Sequence, residues 1–458
     1  MLNVFNMALM MCVANWCMRN KSIAASTQLV HLLTIITLWL LVNTFVVSKR
    51  GGTINILMVL LAGRVLMAIK TKSLLLFYVF FELRIVPITL ILFLFGYQPE
   101  KLQASLFLLL YTVVGSIPLL LFIVVGDIKW IMARVLSLPV TLGFMVKTPL
   151  YLLHIWLPKA HVEAPVGGSM ILAGVLLKLG SYGLVLFLPL IHFNICLSFY
   201  LSMALVGSIV TSLICLRQGD LKLLIAYSSV VHMGVVTIGF MRGTETGYSC
   251  AIMMVVAHGL CSPFLFSFAH WIYETSHSRL ILNNSNSWPV RKGVFMILIS
   301  ANMGLPPGLG LWSEVMIAIR LVVKALWFLP LLVIILFLGT AYNLYFYTSL
   351  IHAKFSPSNK ARTDFFLPLF QSTFCWYSSF FCLDLFHPSY GSMFYEPHQY
   401  ILTNKNNHTT STKCQYQALA SKPKWCPFLK CPFHDRAHIV ARNKVPISTC
   451  NPWKPVAM

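Results

Sequence analysis

GGSMILAGVLLKLGSYGLVLFLPL, residues 167–190, decides the fold class. One charge, Lys178, sits near its middle, and every other side chain is apolar, small or neutral. A bilayer core about 30 Å thick takes roughly 17–25 apolar residues per helix, and this stretch is that long. In lipid only a helix or a closed barrel satisfies its own backbone polar groups. No two-residue alternation runs through the stretch, so a barrel strand is excluded and a helix remains. The composition extends the reading to the whole chain. Of 458 residues, 58% are hydrophobic and 10% charged, whereas a soluble domain carries about 25% charged residues. So few charges cannot cover a water-facing surface. The expected fold is all-α, a polytopic transmembrane helical bundle.

Measured by the same ruler, the chain offers about twelve spans: 30–47, 54–69, 73–96, 102–126, 135–157, 167–190, 194–216, 223–241, 248–269, 294–318, 325–347 and 365–386. They group into an N-terminal segment (1–29), leading transmembrane helices (30–72), a first half (73–216), a second half (217–347), a last helix region (348–386) and a basic polar tail (387–458). Lys and Arg outnumber Asp and Glu by 34 to 12, for a net charge of +22. These charges punctuate apolar runs instead of lining one polar face, which argues against a nucleic-acid partner. Odd-numbered inter-span loops are richer in Lys and Arg than even ones, so they are expected on the inner side. The 12 Cys show no spacing that implies a disulfide framework. The first long apolar run does not end in a small-residue cleavage site, so no cleaved signal peptide is expected.

Charges inside apolar spans are the informative residues. Besides Lys178 they are Glu82, Lys147, His258 and Glu314. A Lys or acid at a helix centre costs about 2.5–3.5 kcal/mol, so such residues face the interior, pair, or touch water. One reading is packing: ion pairs and hydrogen bonds that join helices. The other is a relay, because a Lys beside a switchable carboxylate can bind and release a proton. Two helix breaks lie close to these charges. Lys147-Thr148-Pro149 interrupts one span, and Leu305-Pro306-Pro307-Gly308 interrupts another seven residues before Glu314. Proline removes a backbone donor and clashes with the preceding turn. Discontinuous helices in corresponding halves point to inverted repeats around a midplane site.

The block MVKTPLYLLHIWLPKAHVEAPVGGSMILAGVLLKLGSYG (145–183) resembles the core of the antiporter-like, proton-pumping subunit family of mitochondrial NADH dehydrogenase (complex I), the subunit 4 group in particular. FYVFFE (77–82), GYQPEKLQASLFLLLYTVVGSIPLL (96–120), LRQGDLKLLIAYSSVVHMG (216–234) and AHGLCSPFLFSFAHWIYETSHSR (257–279) are similar to the same family, and the likeness covers roughly residues 55–355. It implies a Glu–Lys pair at Glu82 and Lys147, a central proton-carrying Lys178, a bridging His258 and a terminal site at Glu314. It also implies that NADH, FMN, iron–sulfur clusters and ubiquinone belong to partner subunits, with no cofactor and no metal on this chain. The partners would be other membrane-arm subunits and the lipids of the mitochondrial inner membrane. Two departures stand out. Arg84 occupies a position where the family carries a small polar residue, and the stretch before Glu82 is shorter than the family leads one to expect.

Between two spans, Pro158–Pro165 holds Lys159, His161 and Glu163, with His154 one turn before. It reads either as a tight solvated turn or as a proton inlet formed by His154, His161 and Glu163, since His titrates near neutrality. His232 reads as a core histidine, and Arg217–Lys222 as a solvated turn with an internal ion pair. Arg64 and Arg84, both inside apolar runs, each need a partner; Arg84 is about 200° around the helix from Glu82 and should not pair with it. In the tail, Cys426, Cys431, His434 and His438 only loosely follow zinc-ligand spacing. Two functional alternatives remain: an Mrp-type cation/proton antiporter subunit, and a structural membrane subunit without a proton path.

Overall fold

In this computed structural model the described residues are 25–47, 52–71, 73–125, 131–187, 194–241, 245–284, 289–306 and 308–351. Helices occupy nearly all of them. They run α1 (Ala25–Val47), α2 (Thr53–Lys70), α3 (Leu74–Leu83), α4 (Ile85–Phe95), α5 (Lys101–Val125), α6 (Ile131–Lys147), α7 (Trp156–Glu163) and α8 (Val166–Ile171). After a π-helical turn (Leu172–Leu176) come α9 (Leu177–Phe187), α10 (Asn194–Leu216), α11 (Leu221–Met241), α12 (Glu245–Ser276), α13 (Pro289–Met303), α14 (Leu309–Lys324) and α15 (Leu329–Ile351). Among the described residues no strand forms; an isolated bridge between Asp220 and Leu280 joins the segment before α11 to the one after α12.

Eight of these rods are long and apolar enough to cross a bilayer, α3–α4 and α8–α9 each counting as one. The expected spans 135–157 and 294–318 are both broken, as their prolines predict, into α6 with α7 and α13 with α14. The expected span 365–386, the tail and its Cys/His cluster lie outside the described residues.

Burial separates a centre from a periphery. In the 18-residue apolar stretches of Val166–Phe187, Leu221–Met241 and Thr246–Glu274, 89% of the residues are buried, against 28% in that of Lys101–Val124 and 22% in that of Leu326–Ile351. The outer rods turn rows such as Leu106, Leu110, Val114 and Leu121 outward, the surface that lipid or a neighbouring apolar helix covers. The α8–α9 rod is central, packed against α1, α6 and α12. Close approach is bought with glycine. A Cβ on Gly180 would lie 3.0 Å from the Thr148 amide nitrogen and 3.1 Å from the Lys147 carbonyl carbon, both backbone atoms.

Candidate functional site

Backbone defects create the site. Pro149 cannot donate to Met145, so the Leu150 N–H takes that carbonyl instead, at 3.1 Å. The Val146 carbonyl is thereby released, and Trp156 Nε1 donates to it at 3.0 Å. Lys147, the last residue of α6, is held at this break with 2% of its surface exposed. Leu152 reaches the left-handed region (φ 72°) as the chain turns back into α7. Trp156→Phe should leave the Val146 oxygen unpaired, at a cost of about 1–3 kcal/mol. A fall in the thermal midpoint of the purified assembly would show it, and an unchanged midpoint would count against this account.

The Lys147 ammonium donates to Glu82 Oε1, and its Nζ lies 3.4 Å from the centre of the Phe81 ring. Glu82 and Lys147, joined in expectation only by resemblance, are thus in contact. Arg84 does not ion-pair with Glu82. Its Nε donates to Phe81 O (2.8 Å) and its Nη1 to Leu176 O (2.9 Å). Arg64 has a similar solution: Pro87 deprives Leu83 O of its helical donor, and Arg64 Nη1 supplies one.

A second group surrounds Lys178. In the π-turn the Leu177 N–H bonds Leu172 O, five residues back, so Ala173 O loses its usual partner. π-bulges of this kind recur at functional sites. The fully buried Lys178 donates its ammonium to Ala173 O and lies 2.7 Å from His258 Nδ1. The His258 ring is 5.7 Å, centre to centre, from that of His232. His232 Nδ1 in turn lies 3.2 Å from Glu314 Oε1, although off the hydrogen-bonding direction, so that neither ring nitrogen is bonded. Glu314 stands on α14 just past the second break, where Gly304 (φ 72°) turns the chain and sits against the carboxylate. The predicted Lys178, His258 and Glu314 therefore form one row, with His232 as a member that sequence reasoning placed in the bland core. Nothing in an apolar run tells which face a histidine takes.

The expected inlet residues are buried, which corrects the picture of a solvated turn. Trp156–Glu163 is a helix packed between α5 and α11. His161 is fully buried and stacked on Phe266, ring centres 4.4 Å apart, with both nitrogens unbonded. Glu163 Oε2 accepts the Gln98 N–H at 3.0 Å, and its other oxygen has no partner. His154 is buried beside Tyr151. Lys222 also departs from expectation. Its side chain is buried, not solvated, and donates to Ala164 O (3.1 Å) and Val162 O (3.4 Å). Among the described residues no cluster of His, Cys, Asp or Glu could hold a metal ion.

A family model described as NADH:quinone oxidoreductase/Mrp antiporter, TM, matches residues 71–340. The chain is 37% identical over 360 residues to NADH-ubiquinone oxidoreductase chain 4 of Lumbricus terrestris, covering 72% of this chain and 79% of that one. It belongs to the NADH-ubiquinone oxidoreductase chain 4 family. The chain 4 protein of Ceratitis capitata is 39% identical over 334 residues, 68% of this chain and 74% of its own. Solved structures carry the same fold. A chain of respiratory complex I from Thermus thermophilus with bound NADH superposes with a TM-score of 0.69 at 24% identity, covering 81% of this chain and 83% of that one. A chain of the Mrp complex from Dietzia sp. gives 0.63 at 19%, covering 79% of this chain and 48% of that one. Membership of chain 4 places the protein among the antiporter-like membrane subunits of NADH:ubiquinone oxidoreductase, with the Mrp antiporters as a related family.

Proposed function

We propose that this chain 4 protein translocates protons across the mitochondrial inner membrane as part of the membrane arm of complex I. The observation that carries the proposal is the succession Lys178–His258–His232–Glu314, buried but for the partly exposed Glu314, with the Glu82–Lys147 pair at the first helix break. Each member can hold or hand on a proton; the second broken helix carries Glu314 of the row, and the first carries Lys147 of the Glu82 pair. Moving one elementary charge against the membrane potential takes about 2.3 kcal/mol per 100 mV. The driving energy comes from NADH oxidation and ubiquinone reduction on partner subunits, and this chain contributes no redox centre. Glu163, His161, His154 and Lys222 form the inlet. Mrp-type exchange of another cation is disfavoured by the high identity to chain 4 relatives.

His232→Gln tests the row, since the amide keeps polarity and approximate size but cannot ferry a proton. NADH-driven proton uptake by vesicles carrying the variant complex should fall several-fold. NADH oxidation by a water-soluble artificial acceptor should be unchanged. Unaltered uptake at normal assembly would break the row at its middle.

A further inference from the structure

Arg84 is buried inside the apolar rod Leu74–Phe95, 4% exposed, and among the described residues it forms no ion pair. An arginine is charged at any physiological pH. Its guanidinium is held by the carbonyls of Phe81 and Leu176, and it lies 4.4 Å from the Phe81 ring centre, the ring that Lys147 also contacts. Glu82 stands two residues before it in the chain, and Lys147 shares the Phe81 ring with it. The local inventory is therefore one carboxylate and two cations. One of Glu82's oxygens binds Lys147; the other, buried, has no hydrogen-bond partner.

We propose that Arg84 is the fixed counter-charge of the Glu82–Lys147 pair, a positioning residue that lets Lys147 release its proton without stranding a lone carboxylate in the membrane. The inference rests on the relay reading above and adds to it. When the Lys147 N–H bond breaks, its electron pair stays on Nζ and the proton passes to the next relay site. With Arg84 the trio moves from a net charge of +1 to 0. Without Arg84 the pair would move from 0 to −1, leaving a buried, uncompensated anion, the arrangement that low-dielectric surroundings penalise most. The bond from Arg84 to Leu176 O also ties this trio to the π-turn that aims Lys178 at His258. Charge at Lys147 and geometry at Lys178 thus share one anchor.

The test uses the assembled complex carrying Arg84→Gln, Arg84→Lys or Lys147→Ala, with NADH–quinone turnover coupled to proton uptake as readout and artificial-acceptor activity as the assembly control. Arg84→Gln should lose tenfold or more of coupled turnover. Arg84→Lys, which keeps the charge but not the two-pronged grip, should recover it to within threefold of the parent. Should Arg84→Gln fail to assemble, the lysine variant decides alone. Arg84→Lys as impaired as Lys147→Ala overturns the counter-charge role, and so does Arg84→Gln with parental turnover. If Lys147→Ala itself turns over normally, the relay reading fails instead, so the two failures are distinguishable.

Discussion

Lys178→Met should give an assembled complex whose proton-coupled NADH–quinone turnover is reduced tenfold or more. Methionine matches the length and apolar stem of lysine, so the packing against α12 survives. What disappears is the ammonium that bonds Ala173 O and contacts His258 Nδ1. Losing one partner of a buried carbonyl costs about 1–3 kcal/mol, which a large assembly tolerates. The proton path fares worse, because Lys178 is the member of the row that reaches both the π-turn and His258. Lys178→Ala should behave alike with a somewhat lower assembly yield, the extra loss coming from the cavity left behind. A purely structural lysine predicts the opposite order: Met nearly normal in turnover and Ala poorly assembled. An assembled Lys178→Met complex working within twofold of the parent would refute the relay.

The second large effect needs only one methyl group. Gly180→Ala would place a Cβ 2.8 Å from Thr148 Cγ2 and about as close to backbone atoms of the first helix break. Backbone at a proline break has no rotamer to change, so α9 or the Lys147 turn must move. Overpacking of this kind costs about 1–3 kcal/mol. A displacement near 1 Å between groups that exchange a proton can cost on the order of a hundredfold in rate. The expected result is a lower content of assembled complex on native gels, and coupled turnover reduced further than that content explains. Parental turnover per assembled complex would show that the gap between Lys147 and Lys178 is not critical.

Much of this was written plainly in the chain. Apolar length marked α10 and α11 to within a few residues, since a rod buried in lipid needs nothing but grease and helical hydrogen bonds. Pro149 and Pro306-Pro307 announced both breaks because a missing N–H is a local fact. The π-turn is not legible: Leu172–Leu176 is an ordinary apolar pentapeptide, and only the structure shows α1 and α12 closing on the rod around Gly174. The place of His232 is not legible either, because orientation within a fully buried helix leaves no periodicity to read. Lys222 misled through its neighbours, Arg217 and Asp220, which suggest a wet turn, while its long side chain reaches back to carbonyls at the end of α7. Trp156–Glu163 looked like a loop because Lys159, His161 and Glu163 crowd into it; tertiary packing, not local sequence, makes it a buried helix.

Three kinks or bulges leave oxygen atoms without their usual helical donors, and Arg64, Trp156 and Lys178 each cover one, while Arg84 adds a bond to a carbonyl of the π-turn. For Lys178 this means that peptide dipoles, rather than an anion, serve as its solvent. Dipoles stay put when the charge leaves. On the relay we propose, the lysine then empties and refills without any companion ion travelling beside it, and what crosses the bilayer is a lone hydrogen nucleus instead of a neutral salt.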